Sequence, residues 1–236
     1  MSVVVTKKTE IYTNGVIIGS KDPIVKSGLV FYVDINKPTC YTIGSTTIFD
    51  ISGNGYTGTL YNGVSYDSSN GGSLSFDGAN DYCLTTYLQP AYSGSTNFTW
   101  DLWCYPRSGS FAPMIGNRGS YFLPTNFIKL HSSTFEYYPL FGSGGNISYV
   151  LPLYTWSNIC VVKNGTSISY YYNNTLVGSS ISNGYFLNTN PFFIGGDNTA
   201  NEYSNSKIAS VKVYNKALNS SERTQNYNAL KNRFGL

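Results

Sequence analysis

An all-β fold, an antiparallel two-sheet sandwich finished by one short C-terminal helix, is what this sequence predicts, and three observations predict it. From Gly28 onward, short period-two or wholly apolar runs recur between clusters of Gly, Asn, Asp, Ser and Pro, the pattern of many short antiparallel strands. Tyr at 22, Phe at 13 and Gly at 24 enrich the residues that suit half-buried pleated surfaces and the tight turns between them. Helical spacing with a cap emerges in one place, close to the C-terminus. Naive division would split 236 residues into more than one domain, but β-sandwiches routinely use such a length for one core.

The elements follow in order. Residues 1–26 read differently from the rest: a β-like Val3, Val4, Val5, a charged patch at Lys7, Lys8 and Glu10, then Ile17, Ile18 and Asp22-Pro23. They are expected to form an N-terminal arm that docks on a partner or adds an edge strand, with 27–236 as the sandwich; an ordinary first strand is the competing reading. The clearest strand runs are 29–33, 73–76, 82–86, 98–105, 158–163, 167–172, 191–194 and 207–214. In 98–105 the alternation puts Phe98, Trp100, Leu102 and Cys104 on a core face and Thr99, Asp101, Trp103 and Tyr105 on the other. Asn164-Gly165 predicts a type I′ hairpin, because both residues accept positive φ, and Asn173-Asn174 has similar chemistry, so a three-strand meander is expected. Asn219 with Glu222 three residues later makes a capping box, and Tyr227, Leu230 and Phe234 form the stripe that packs this helix on the sandwich.

Composition narrows function. Charged residues fall to 11%, against roughly 25% in average globular proteins, so the surface is polar through Asn, Ser, Thr and Tyr, as on surfaces that meet sugar or protein through hydrogen bonds. The net charge is +3 and the 15 Lys and Arg residues are scattered, so no basic stripe follows a phosphate backbone and nucleic acid is not an expected partner. No apolar run approaches the roughly 18 residues that cross a bilayer, and no membrane insertion is expected. Met1 to Lys8 lacks the layout of a secretory signal, which suggests folding in a cytosol or the start of a mature segment. Cys40, Cys83, Cys104 and Cys160 form no CxxC pair; buried free thiols are the plain reading, with disulfides left open.

The order of the motifs is more specific than any one of them. The segments 28–34 (GLVFYVD), 50–60 (DISGNGYTGTL) and 75–82 (SFDGANDY) resemble the opening of laminin-G-like, concanavalin A-like domains. Phe98-Thr-Trp-Asp-Leu-Trp-Cys-Tyr-Pro106 is similar to that family's central strand, and Trp156-Ser-Asn-Ile-Cys-Val-Val with Asn164-Gly165 to its hairpin. Ile194-Gly-Gly-Asp197 and 207–218 match its closing strand and capping helix, so the resemblance spans about 28–236 and implies a jelly-roll sandwich. The ending 226–236 is also similar to that of tailed-bacteriophage structural proteins.

Chemistry-bearing residues are sparse. Glucanases on this fold use paired carboxylates on one strand. Here Glu10, Glu136, Glu202 and Glu222 are dispersed and Asp101 stands alone, so no glycosidase pair is assembled. His131 is the single histidine, no serine sits in a Gly-x-Ser-x-Gly elbow, and the glycine pairs lack the lysine of a phosphate loop, so no catalytic residue is assigned. Relatives bind calcium through loop oxygens, which makes Ca²⁺ the one cofactor these loops admit at Asp34, Asp50, Asp77, Asp81 and Asp197, although Asx-turns account for the same residues, and no metal ligand is assigned. Aromatic faces are the remaining lead, since a sugar ring stacks on Tyr. Tyr137 and Tyr138 are candidates, and in Tyr170-Tyr171-Tyr172 alternation sets Tyr171 apart from its neighbours as a third glycan-binding candidate, with core packing the competing account.

The function expected is a non-enzymatic virion structural protein of a bacteriophage, folded in the host cytoplasm: a head decoration, fibre or tail-associated jelly roll that forms a homo-oligomer with other virion proteins as partners. The alternative is a carbohydrate-binding adhesion module recognising a host glycan. A glycoside hydrolase is disfavoured by the missing carboxylate pair.

Overall fold

Alternation along the strands decides how the chain layers. The structure, a computed structural model, describes residues 3–5, 10–13, 16–20, 24–90, 96–108, 111–120, 123–131, 134–139, 149–181 and 190–236. In chain order the strands are β1 (Val3–Val5), β2 (Glu10–Thr13), β3 (Val16–Ser20), β4 (Leu29–Asp34), β5 (Thr47–Phe49), β6 (Thr57–Tyr61), β7 (Ser65–Asp67), β8 (Ser73–Asp77), β9 (Tyr82–Leu88), β10 (Phe98–Ser108) and β11 (Ala112–Ser120). They continue as β12 (Leu123–His131), β13 (Thr134–Pro139), β14 (Tyr149–Val150), β15 (Ser157–Asn164), β16 (Ser167–Tyr172), β17 (Thr175–Ile181), β18 (Pro191–Ile194), β19 (Gly196–Asp197), β20 (Glu202–Tyr203) and β21 (Asn205–Tyr214), before helix α1 (Ser220–Lys231).

Two antiparallel sheets form the sandwich. The first runs β17-β16-β15-β10-β21-β8-β7, with β4 pairing the second half of β21; the second runs β14-β13-β12-β11-β18-β9-β6-β5. This is the predicted all-β jelly roll. Between the sheets, Phe31, Phe76, Trp100 and Leu102 from the first meet Cys83, Tyr87, Ile115 and Phe192 from the second. Trp100 meets Tyr137 and Phe192 edge-on, at ring centroid separations of 5.9 and 5.3 Å, the arrangement ring quadrupoles favour. Each such fully buried side chain contributes on the order of 1.5–3 kcal/mol of transfer free energy.

Phe98, Trp100, Leu102 and Cys104 do line the core, but the opposite face of β10 is buried too. Asn219 accepts a hydrogen bond from the Glu222 amide and Glu222 returns one, so the predicted capping box starts α1. The helix lies over this face, and Trp103 stacks with Tyr227 of the helix and with Phe234 just beyond its end, with centroids 5.7 and 4.5 Å away. Beneath the same cover, Asp101 pairs with Lys212 at 3.2 Å and accepts from Asn158 Nδ2 at 3.0 Å.

The turn at 164–167 is shifted by one residue. Asn164 still pairs with Ser167 in the ladder, so Gly165-Thr166 is the two-residue loop, and only Gly165 has positive φ (+58°), the requirement of a II′ rather than a I′ turn. The I′ pattern falls at Asn173 and Asn174, with φ of 46° and 64°, and completes the expected meander β15-β16-β17. All four cysteines are free and buried, and burial pushes the Cys40 thiol up to about 12.

β1, β2 and β3 form an antiparallel sheet of their own, which among the described residues shares no ladder with either sandwich sheet. Residue 25 already packs with the sandwich: its amide donates to Asn226 Oδ1 and its carbonyl accepts from the Tyr214 hydroxyl. Among the described residues no helix is long and apolar enough to cross a membrane.

Candidate functional site

The outer face of the second sheet carries a structured polar cluster around Arg118. Along β9, Cys83, Thr85 and Tyr87 turn inward, which leaves Tyr82, Leu84, Thr86 and Leu88 outward. On β18, Phe192 and Ile194 enter the core while Pro191 and Phe193 face out, and Arg118 leaves β11 on the same side. At Gly195, φ +81°, the chain turns off the sheet into the short hairpin β19-β20. That hairpin brings Asp197 and Glu202 to Arg118.

Arg118 is held by both carboxylates. Its Nε lies 2.8 Å from Asp197 Oδ2, a charge contact with poor hydrogen-bond geometry, and its Nη2 donates to Glu202 Oε2 at 2.9 Å. The guanidinium also sits 4.6 Å from the Phe127 ring centroid. Burial raises the Asp197 carboxyl above its ordinary value, although Arg118 pulls the other way. Beside this cluster Tyr61 and Tyr82 stack at 4.7 Å with planes 11° apart, and Tyr203 stands 6.3 Å from Tyr82. The Tyr203 hydroxyl donates to Asn198 Oδ1 at 2.9 Å.

Two depressions flank the hairpin. One, of about 200 Å³, has apolar walls from Tyr82, Leu84 and Pro191 and polar walls from Arg118, Asn190, Asp197, Asn198 and Thr199. The other, of about 400 Å³, lies between the Gly78-Ala79 turn, Phe111 and the hairpin residues Asn201, Glu202 and Tyr203. Ring faces beside amides and carboxylates suit a ligand that is apolar on one side and rich in hydroxyls at its edge.

The residues singled out from the sequence lie elsewhere. Tyr137 is a correction: it is 0% exposed and packs on Phe98, Trp100 and Tyr170, so it offers no face to a sugar. β13 pairs Ile128 with Tyr137 and Phe127 with Tyr138, and this register turns Tyr137 inward; the Tyr138 side chain lies outside the described residues. Tyr171 is half-buried, with the Arg223 guanidinium 3.8 Å from its ring centroid, so one face is covered.

The loop aspartates are each engaged. Asp50 accepts from the amides of Tyr32, Ser52 and Asn54, Asp77 from those of Ala79 and Asn80, and Asp81 from that of Asp77. Asp34 is paired with Arg233 at 2.6 Å and Asp197 with Arg118. Among the described residues no group of three or more His, Cys, Asp or Glu side chains is placed to hold a metal ion. His131 lies 3.6 Å from Glu136, which also pairs with Lys129.

Tyr61, Tyr82, Arg118 and Tyr203 escaped the sequence reading. The one usable signal for them in the sequence is the Gly195-Gly196-Asp197 run before a polar loop, which marks a turn off the end of a strand.

Comparison with known proteins agrees with this architecture. The Laminin_G_3 family, described as the concanavalin A-like lectin/glucanases superfamily, matches residues 76–222, and no curated protein matches. The binding domain of Paraclostridial Mosquitocidal Protein 1 superposes with a TM-score of 0.64 at 19% identity, over 86% of this chain and 52% of that one. The binding domain of Botulinum Neurotoxin DC, solved in complex with SialylT, gives 0.66 at 12% identity, over 87% and 52%. Domain 4 of AbnA, a GH43 extracellular arabinanase from Geobacillus stearothermophilus solved with arabinotriose, gives 0.64 at 15% identity, over 85% and 98%. The chain thus spans about half the length of the toxin domains, and identities this low establish the fold alone. With more than half its residues matched by the family and the same two-sheet sandwich built around them, the chain belongs to the concanavalin A-like lectin/glucanases superfamily as a Laminin_G_3 domain.

Proposed function

We propose that this chain is a non-enzymatic carbohydrate-binding module whose site is the depression beside the 196–203 hairpin. The observation that carries the reading is the stacked pair Tyr61 and Tyr82, with Tyr203 tilted 6.3 Å from Tyr82, next to Asn190, Asp197 and Asn198. The apolar face of a pyranose or furanose suits an aromatic wall, and the hydroxyls at its edge suit planar amides and carboxylates. The complexes of similar folds with SialylT and arabinotriose support a glycan as the ligand class. Both carboxylates near the depression are tied to one guanidinium, which suits holding a ligand better than moving a proton.

A glycan array on the whole chain, followed by calorimetry on the best binder, tests this. Tyr82→Ala and Asn198→Ala are each expected to weaken binding by about tenfold or more while the far-UV spectrum stays unchanged. Absence of binding to every glycan refutes the reading.

A second reading is favoured by the separate sheet β1-β2-β3. Strands of 3, 4 and 5 residues are short for a free-standing sheet, so a partner is expected to complete it. This supports the arm, residues 1–26, as an assembly segment of an oligomeric virion protein, a role compatible with glycan binding at the hairpin. Light scattering with and without residues 1–23, which spares the Val25 contacts with Asn226 and Tyr214, tests it: loss of a discrete oligomer on deletion supports assembly, and a monomer in both forms refutes it.

A further inference from the structure

We infer that the depression beside the hairpin selects neutral sugars and excludes those carrying a carboxylate, a refinement that rests on the glycan-binding reading. A guanidinium is the protein group best shaped to read a sugar carboxylate, through paired N–H···O bonds. Arg118 is already committed: Nε is 2.8 Å from Asp197, Nη2 is 2.9 Å from Glu202, and its side chain is only 5% exposed. Its charge is answered twice before a ligand arrives.

Among the described residues lining the two depressions there is no second cation. Arg118 and Asp197 line the smaller depression and balance each other, and Glu202, which lines the larger one, reaches the same guanidinium at 2.9 Å, so the cluster as a whole keeps one negative charge. The next cation along the face, Lys129, lies beyond Phe127 and is paired with Glu136 at 3.2 Å. An acidic sugar would meet an unanswered negative charge in a partly desolvated place. Drawing Arg118 away to meet it would strand Asp197, whose side chain is 3% exposed. A neutral sugar brings only hydroxyl donors, which carboxylates accept readily. The same charges that repel an acid therefore attract a polyol.

The test compares neutral oligosaccharides with their sialylated and uronic-acid counterparts on one array, then measures the strongest matched pair by calorimetry with the full chain. Neutral glycans are expected to lead, with acidic counterparts weaker by about tenfold, a gap that narrows as added salt screens the repulsion. Glu202→Gln removes one negative charge at a partly accessible position and is expected to raise the ratio of acidic to neutral affinity by about tenfold. An acidic glycan as the leading binder, or a ratio that Glu202→Gln leaves unchanged, overturns the charge selection while the glycan reading stands. Binding to neither class overturns both.

Discussion

Replacing Gly195 by alanine should be among the most damaging single-methyl changes in this protein. Gly195 sits where the chain leaves the second sheet for the site hairpin, fixed by its amide donating to the Met114 carbonyl at 2.7 Å and by its carbonyl accepting from Ser204 at 2.8 Å. An ideal Cβ there would lie 2.2 Å from Phe76 Cδ1 and Cε1 and 2.6 Å from Cγ. Carbon atoms in contact prefer about 3.5–4.0 Å, so ring and backbone must separate by more than about 1 Å. Phe76 is 0% exposed and wedged between the sheets, so it has no free space to enter. The φ of +81° adds the penalty for an L side chain in the left-handed region, roughly 1–2 kcal/mol, and overpacking adds about 1–3 kcal/mol. A loss of about 3 kcal/mol lowers Tm by roughly 6–12 °C at this chain length.

Urea unfolding followed by tryptophan fluorescence measures this loss, with the slope m expected to stay constant. The cause is separable by a double-mutant cycle. If the contact with Phe76 dominates, Phe76→Leu in the Gly195→Ala background should recover about 1 kcal/mol or more relative to additivity. A loss under about 1 kcal/mol, or strictly additive effects, would refute the account of Gly195 as the close-approach point that sets the hairpin.

Two further outcomes are expected. Lys212→Ala should cost about 3–5 kcal/mol, because it leaves Asp101 buried under α1 without its cation, whereas Lys212→Met paired with Asp101→Leu should recover most of that; denaturant titration of the three chains decides. Hydrogen bonding from Lys207, then from Ser69, holds the Asp67 carboxyl at about 2, below its ordinary 3.8, so its contribution is complete above about pH 4 and disappears as pH falls through about 2. Asp67→Asn should flatten the stability curve in that window by about 1 kcal/mol, solvent screening limiting the effect, and an unchanged acid slope would show that the pair carries no stability.

Much of the fold was legible because its signals are local. Period-two alternation names the core face of β10 from eight residues, turn residues with positive φ mark the meander, and the Asn219–Glu222 box starts α1. The one-residue shift of the hairpin is a limit of the same reasoning, since Asn and Gly both suit the turn and cross-strand pairing of Asn164 with Ser167 chooses between them. Alternation likewise sets Tyr137 and Tyr138 on opposite faces, yet only the pairing of β13 with β12 says which one enters the core.

By itself, then, the sequence determined the strand-rich class, the sandwich, the capped helix and the family, because each rests on neighbours within a few residues or on the order of motifs. Only the tertiary structure decided that Asp101, Trp103 and Lys212 are covered by α1, and that Tyr61, Tyr82, Arg118, Asp197 and Tyr203 form one site. Those side chains come from strands far apart in the chain and converge through backbone ladders, whose N–H and C=O groups are the same at every residue and so leave little trace of their partners in the sequence.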